Sequence, residues 1–420
     1  MRVLLINTSE RTGGAAIACN RLLDALKKQG ISAKMLVRDK QTDRLSVIAV
    51  KSTFLLPMKF LWERIIIFIS NKFRRKGIFH VDIANTGVDV THIRDFQNAD
   101  VIHLHWVNQG FLSLRDIEKI LCSGKPIVIT MHDMWYFTGI CHYSSGCEKY
   151  KTGCSRCEKL GNGHSIVDLS KRVFDTKRRI YGNARIVFVG CSRWMADLAH
   201  ESVLAKGHSV CNIPNPIDMQ VFCPADRMAV RKKYGIAPSQ KILLFGAQRI
   251  TDERKGFEYL AEACKQIMEK NPELAAQIEV LVVGGDAAKV QNQIPFNVRP
   301  VNYVNEQQHM VELYNLADVF VTPSVQDNLP NTIVEAMSCG VPCVGFSVGG
   351  IPEMIDHKQN GYVAEFRNAN DLAQGIEWVL TSDYEMLSAA ARAKAQETYS
   401  EDLVARKYIE LYDNACNSNV

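Results

Sequence analysis

Residues 323–352 read PSVQDNLPNTIVEAMSCGVPCVGFSVGGIP, and the alternation of apolar runs, polar loops and glycines in this stretch decides the fold. The apolar run Val319 to Thr322 stops at Pro323, as a buried parallel strand does. Asn328 to Asn331 forms a polar loop, and Pro330 suits the first turn of the helix that follows, where a missing N–H costs nothing. Ile333, Val334, Ala336 and Met337 supply that helix with a buried side, and Gly340 stops it in the C′ position. The helix start at Asn328, Leu329, Pro330 and Asn331 is a ready place for a phosphate group, with the free backbone N–H groups between Leu329 and Thr332 expected to face outward. Asp327 and Glu335 flank it, eight residues apart, so both carboxylates can point into one cleft.

The run resembles the family 4 glycosyltransferases, retaining enzymes of the GT-B architecture. Their signature is a Glu, seven residues, a second Glu, then Ala-Met-x-x-Gly-x-Pro and a Gly-Gly-x-Pro-Glu turn. Glu335, Ala336, Met337, Gly340, Pro342, Gly349, Gly350, Pro352 and Glu353 match, while Asp327 replaces the first Glu and shortens its reach by one methylene. The resemblance implies an α/β fold of two Rossmann-like, doubly wound domains facing across a cleft. It also implies a nucleotide-sugar donor and no cofactor for catalysis. The Cys-rich insert after His132-Asp133 and the wording QDNLPN are reminiscent of bacterial exopolysaccharide and colanic-acid-type transferases.

At 420 residues and 47% hydrophobic, the chain is long enough for two or three domains with their own cores. Met1 is followed at once by the strand RVLLIN, without the basic and apolar segments of a signal peptide, so a cytoplasmic location is expected. The apolar run Ile65 to Ile69 is far short of the roughly 18 residues that span a bilayer. Charge is divided: residues 1–200 carry 31 Lys+Arg against 17 Asp+Glu, whereas residues 201–420 carry 19 against 28. The basic half is suited to an anionic partner. No basic helix with base-reading residues and no aromatic-Gly RNA motif appears, which favours an anionic membrane surface over nucleic acid. A charged, merely soluble surface is the alternative.

Along the chain, Arg2 to Ile6 is a strand, and Gly13 and Gly14 open a helix carrying Ile17, Leu22, Leu23 and Leu26. Strand, glycine loop and helix in this order begin a doubly wound domain, although the dinucleotide fingerprint is absent. Residues 53–76 combine a long apolar, aromatic helix with Lys72, Arg74, Arg75 and Lys76. That is the composition of an interfacial anchor, and equally of a core helix of the first domain. Val101 to Trp106 and Pro126 to His132 are strands that place His105 and His132 at carboxyl ends, where open α/β sheets bind ligands. Cys141, Cys147, Cys154 and Cys157, with five, six and two residues between them, either close a structural zinc shell or remain unliganded thiols. The Pro-rich IPNPID at Ile213 to Asp218 resembles the family hinge. It divides a first domain over 1–212, on which the 401–420 helix packs back, from a second over 213–400.

In the second domain the strand Lys241 to Gln248 leads to Arg249 and Lys255, two cations on one strand-to-helix loop. Ile278 to Gly285 and Val301 to Val304 read as further strands. The resemblance assigns Arg249 and Lys255 to the departing diphosphate, and Gly13 and Gly14 to the donor pyrophosphate beside the acceptor. It assigns His132 and Asp327 to the donor sugar, the backbone around Gly284, Tyr303 and Val304 to the nucleotide, and Glu335 to the ribose. Asp-x-Asp is absent from the chain, which fits fixed cations in place of a divalent metal. The basic first half points to a polyprenyl-diphosphate-linked oligosaccharide as acceptor and to the inner face of the cell membrane. A soluble acceptor, or a degenerate partner-binding subunit, are the competing accounts.

Overall fold

The computed structural model describes residues 1–51, 55–75, 77–163, 167–304 and 306–417. The chain divides into two units, Met1–Pro214 together with the chain from Val404 onward, and Asn215–Leu403.

The first unit is built on seven parallel strands: β1 (Arg2–Ser9), β2 (Ser32–Asp39), β3 (Val47–Ala49), β4 (Val101–Leu104), β5 (Ile127–Met131), β6 (Ile186–Gly190) and β7 (Ser209–Asn212). Their order is β3-β2-β1-β4-β5-β6-β7. Because side chains alternate along a strand, Val3 and Leu5 of β1 enter one core, with Leu22, Leu23 and Leu26 of the Gly14–Lys28 helix. Leu4 and Ile6 enter another, with Ile102, Leu104, Ile127 and Ile129. A sheet covered on both faces needs strands that are apolar throughout, and that is why these runs show no polar alternation. The Glu401–Asn417 helix closes the first of these cores with Val404, Ala405, Tyr408 and Tyr412.

The second unit has six parallel strands: β8 (Lys241–Arg249), β9 (Ile278–Gly285), β10 (Asn297–Val301), β11 (Val319–Thr322), β12 (Cys343–Phe346) and β13 (Gly361–Ala364). They lie in the order β10-β9-β8-β11-β12-β13. The strand expected at Val301 to Val304 is displaced: β10 is Asn297–Val301, and Tyr303 and Val304 follow it in a loop. β10 pairs only with β9, at the edge of the sheet. An edge tolerates Pro300, which has no N–H, and needs no continuous apolar run. The helix expected after Pro330 runs over Asn331–Ser338, with Pro330 as its N-cap residue. It ends as foreseen at Gly340: φ is +75°, the Gly340 N–H donates to Met337 and the Val341 N–H to Ala336.

Two glycines bring the loops at the carboxyl edge of this sheet into backbone contact. Gly256 has φ +67°, and a Cβ there would lie 1.9 Å from the Pro323 carbonyl oxygen. Gly349 has φ +59°, and its Cβ would lie 1.7 Å from the Asp327 oxygen. No side chain fits at either place. The Val325 N–H donates to Arg254 and the Gly350 N–H to Asn328, so the three loops are also tied by hydrogen bonds.

The segment 53–76 is helical over Leu55–Ser70; Phe54 and Lys76 lie outside the described residues. This helix buries Glu63 and Arg64 against Asp82. Burial and the charge of Asp82 push the Glu63 carboxyl up to about 8, while Asp82, despite its burial, is held low by the Glu63 hydrogen bond and Arg64. Between an ordinary 4.5 and about 8 the folded chain therefore holds a proton that the unfolded chain has released. This contribution to stability is complete below the lower value and is lost as pH rises through the upper one.

Glu63→Gln keeps the acceptor for the Ile83 and Ala84 N–H groups and should flatten the fall in melting temperature between about pH 5 and pH 8. Parallel falls in both proteins would show that Glu63 is ionised. Gly349→Ala is expected to destabilise the second unit by more than about 2 kcal/mol, from left-handed backbone plus contact. Gly235→Ala, at φ +68° with nothing within 4 Å of its Cβ, isolates the backbone part alone. Equal urea midpoints for the two variants would rule out the contact.

Candidate active site

In open α/β sheets ligands bind beyond the carboxyl ends of the strands, where the strand order reverses. In the second unit that point lies between β8 and β11. The loop after β8 carries Lys255 and the loop after β11 carries Asp327. The Lys255 ammonium lies 2.6 Å from the Asp327 carboxylate, and Ser324 donates to the same oxygen at 3.4 Å. Both charged side chains keep part of their surface open, 28% for Lys255 and 15% for Asp327. The second oxygen of Asp327 accepts the Asn328 N–H at 3.1 Å.

Asn328, Leu329 and Pro330 are buried ahead of the Asn331–Ser338 helix, and Glu335 is buried within it. The Tyr314 hydroxyl donates to Glu335 at 2.8 Å. Sequence reasoning missed Tyr314 and Ser324, because neither belongs to a spaced motif and both act through contacts that only the fold creates. Gly284, next to last in β9, has φ +145°, and a Cβ there would meet the Ala247 carbonyl at 1.8 Å. Arg249 departs from the grouping expected of it: its side chain is 75% exposed and its guanidinium lies 4.0 Å from Asp286. The β-bulge between Gly246 and Arg249 turns the end of β8 toward Gly285.

In the first unit the order reverses between β1 and β4. Gly13, at φ +92°, precedes the Gly14–Lys28 helix that follows β1. His105 lies just past β4 and His132 just past β5. Their rings share a 2.9 Å hydrogen bond between His105 Nδ1 and His132 Nε2. The other nitrogen of His132 meets Cys191 Sγ at 3.5 Å. Beneath them His103 contacts Tyr412 and Thr130, each at 2.7 Å, and Thr130 contacts Tyr408. Burial lowers all three histidines, His132 to about 4 and His103 to about 3, so the cluster is neutral at physiological pH. Asp133 turns away from His132; it accepts from His142, Trp106 and the Trp135 N–H, which together overcome its burial and keep it ionised.

The four cysteines considered above for a zinc shell lie in one region: Cys141 and Cys157 share an apolar cluster, and, beside the larger effect of burial, Cys154 lies near enough to raise the Cys141 thiol and Cys157 near enough to raise that of Cys154. Among the described residues no three His, Cys, Asp or Glu side chains stand together as a metal site. Cys141 is buried with Ile67, Val81 and Ile83, Cys154 accepts the Gly139 N–H at 3.2 Å, and Cys147 is exposed beside the Gly146 turn.

Residues 12–221, half of the chain, match the family described as Glycosyltransferase Family 4, and residues 239–382 match Glycosyl transferases group 1. The chain is 25% identical to the putative colanic acid biosynthesis glycosyl transferase WcaC of Escherichia coli, over 75% of this chain and 76% of that one. It is 34% identical to the N,N'-diacetylbacillosaminyl-diphospho-undecaprenol alpha-1,3-N-acetylgalactosaminyltransferase of Campylobacter jejuni, over 32% of this chain and 36% of the other. Among solved structures, sucrose-phosphate synthase from Thermosynechococcus elongatus superposes with a TM-score of 0.71 at 19% identity, covering 100% of each chain. Anabaena HepE in complex with UDP-glucose superposes with a TM-score of 0.63 at 14% identity, covering 99% of this chain and 100% of that one. Two doubly wound parallel sheets and these matches together show that the protein belongs to glycosyltransferase family 4 and has the GT-B fold.

Proposed function

We propose that the protein is a retaining, metal-independent hexosyltransferase. It uses a nucleotide-sugar donor and extends a polyprenyl-diphosphate-linked oligosaccharide in bacterial surface polysaccharide synthesis. The observation that carries the reading is the Lys255–Asp327 pair at the strand-order reversal of the second unit. It sets a fixed cation and a carboxylate side by side, and the transfer needs one group for the diphosphate and one for the sugar. The second unit, expected over 213–400, is the donor side; the first, expected over 1–212 with the 401–420 helix, is the acceptor side.

In this reading the bond from the anomeric carbon to the diphosphate breaks while the acceptor oxygen attacks on the same face. The acceptor proton passes to the departing phosphate oxygen, and configuration is retained. Lys255 and Arg249 stabilise the charge that develops on the diphosphate, with the N-terminus of the Asn331–Ser338 helix and the Gly13-Gly14 turn as backbone donors. Arg249 reaches the diphosphate by leaving Asp286, a contact too long and exposed to hold it. Asp327 accepts from the sugar hydroxyls, and His132 donates from the nitrogen that faces Cys191. Glu335, oriented by Tyr314, accepts from the ribose, and the backbone at Gly284, Tyr303 and Val304 lines the base. UDP-glucose, the ligand of HepE, is the first donor to test. The undecaprenyl-diphosphate acceptor named for the Campylobacter relative, together with the basic first half of the chain, supports a lipid-linked acceptor and work on the inner face of the cell membrane.

Lys255→Ala is expected to lower turnover by about a hundredfold or more, with nucleotide-sugar affinity changing less; turnover at the wild-type level would remove Lys255 from the mechanism. Glu335→Gln should weaken donor binding by about tenfold, read by calorimetry with a panel of nucleotide-sugars. Transfer to undecaprenyl-diphosphate oligosaccharide that persists in chelator supports the full reading. Transfer only to water-soluble sugars overturns the acceptor assignment, and loss of activity on chelation overturns metal independence.

A further inference from the structure

The Leu55–Ser70 helix is built inside out. A helix at a water-facing surface hides its apolar stripe and shows its charges. Here Glu63 is 0% exposed and Arg64 7%. Arg64 donates to the carbonyls of Ile78 and Val81 and to Asp82, and Glu63 accepts the N–H groups of Ile83 and Ala84. Lys59, the remaining charged residue of the helix, is half-buried and gives its ammonium to the Gly87 carbonyl.

The outward face is apolar instead. Met58, Leu61, Trp62, Ile65 and Ile69 are exposed, Trp62 by 55%, and they recur at three- and four-residue steps, so they form one stripe. Lys72 and Phe73 have left-handed backbone and turn the chain just past the helix. There Phe73 is 65% exposed, and Phe79 follows at 60%. Among the described residues, these seven are half of the fourteen large hydrophobic side chains left exposed, gathered within 58–79. Single exposed apolar residues need no explanation, but a contiguous patch marks a surface that meets something apolar. The exposed cations Lys72, Arg74 and Arg75 stand at its end. A purely apolar protein partner leaves these charges unanswered, whereas an anionic leaflet answers both parts: acyl chains for the stripe, headgroups for the cations.

We propose that the outward face of this helix, with Phe73, Phe79, Lys72, Arg74 and Arg75, docks the enzyme flat in the interface of an anionic membrane. The inference rests on the lipid-linked acceptor reading above and adds which surface meets the lipid. The buried Glu63–Arg64–Asp82 group holds the helix so that its apolar side faces outward.

The test is co-sedimentation of the full chain with phosphatidylglycerol-containing vesicles and with phosphatidylcholine vesicles. The wild type should bind the first and not the second. Leu61→Ser/Trp62→Ser/Ile65→Ser should lose binding by about tenfold or more, with the melting temperature unchanged or raised. Lys72→Ser/Arg74→Ser/Arg75→Ser should lose about a hundredfold, since each juxtamembrane cation contributes about fivefold. Both variants should keep wild-type transfer to a water-soluble acceptor analogue. Vesicle binding that survives in both variants overturns this surface while leaving a membrane-bound enzyme intact. No vesicle binding by the wild type, together with no transfer to the undecaprenyl substrate in detergent, overturns the acceptor reading itself. A dimer that dissociates in the Leu61→Ser/Trp62→Ser/Ile65→Ser variant, with no lipid binding by the wild type, assigns the patch to a second copy and likewise overturns the proposal.

Discussion

Two places where backbone meets backbone with no room for a side chain govern the second unit. The loops after β8, β11 and β12 each come from a different part of the chain, and each is free to vary in length without disturbing the sheet. Gly256 against Pro323 and Gly349 against Asp327 remove that freedom. Once these loops touch, Lys255 and Asp327 meet at the sheet edge with little further choice. Their ion pair is therefore a result of backbone geometry. Partly exposed as it is, it contributes little to stability, which leaves both groups available for other partners.

The same logic explains what could be read from the chain. The central strands were legible because a doubly covered parallel sheet demands uninterrupted apolar runs, and β9 and β11 lie where those runs predict. The Asn331–Ser338 helix was legible from its glycine stop and apolar spacing. β10 was not, because an edge strand is half free of that demand and contains Arg299 and Pro300. Asp327 and Lys255 could be named from a motif. Their direct contact, the placing of Arg249 near Asp286 and the Tyr314–Glu335 bond could not, since each depends on where a loop bends. For the cysteines, spacing along a loop says which thiols are near in sequence, while the joint packing of Cys141 and Cys157 in one apolar cluster depends on the fold around them.

Residues 53–76 show how composition can leave two readings open. A core helix and an interfacial helix have the same proportion of apolar residues. What separates them is which side carries the charge, and here Glu63 and Arg64 face inward while Trp62 and Ile65 face out. A periodicity argument based on hydrophobicity alone cannot distinguish this arrangement from an ordinary amphipathic helix, because the stripe has the same spacing on either side.

The Glu401–Asn417 helix joins the latest part of the chain to its earliest fold. Tyr408 and Tyr412 reach Thr130 and His103 directly beneath the His105–His132 pair, and Val404 and Ala405 lie in the same core as Val3 and Leu5. During translation, then, one flank of the initial sheet stays bare until residues 401–417 have been added, although its strands were made long before. The intervening unit has its last strand complete at Ala364, before the helix that closes the first sheet begins.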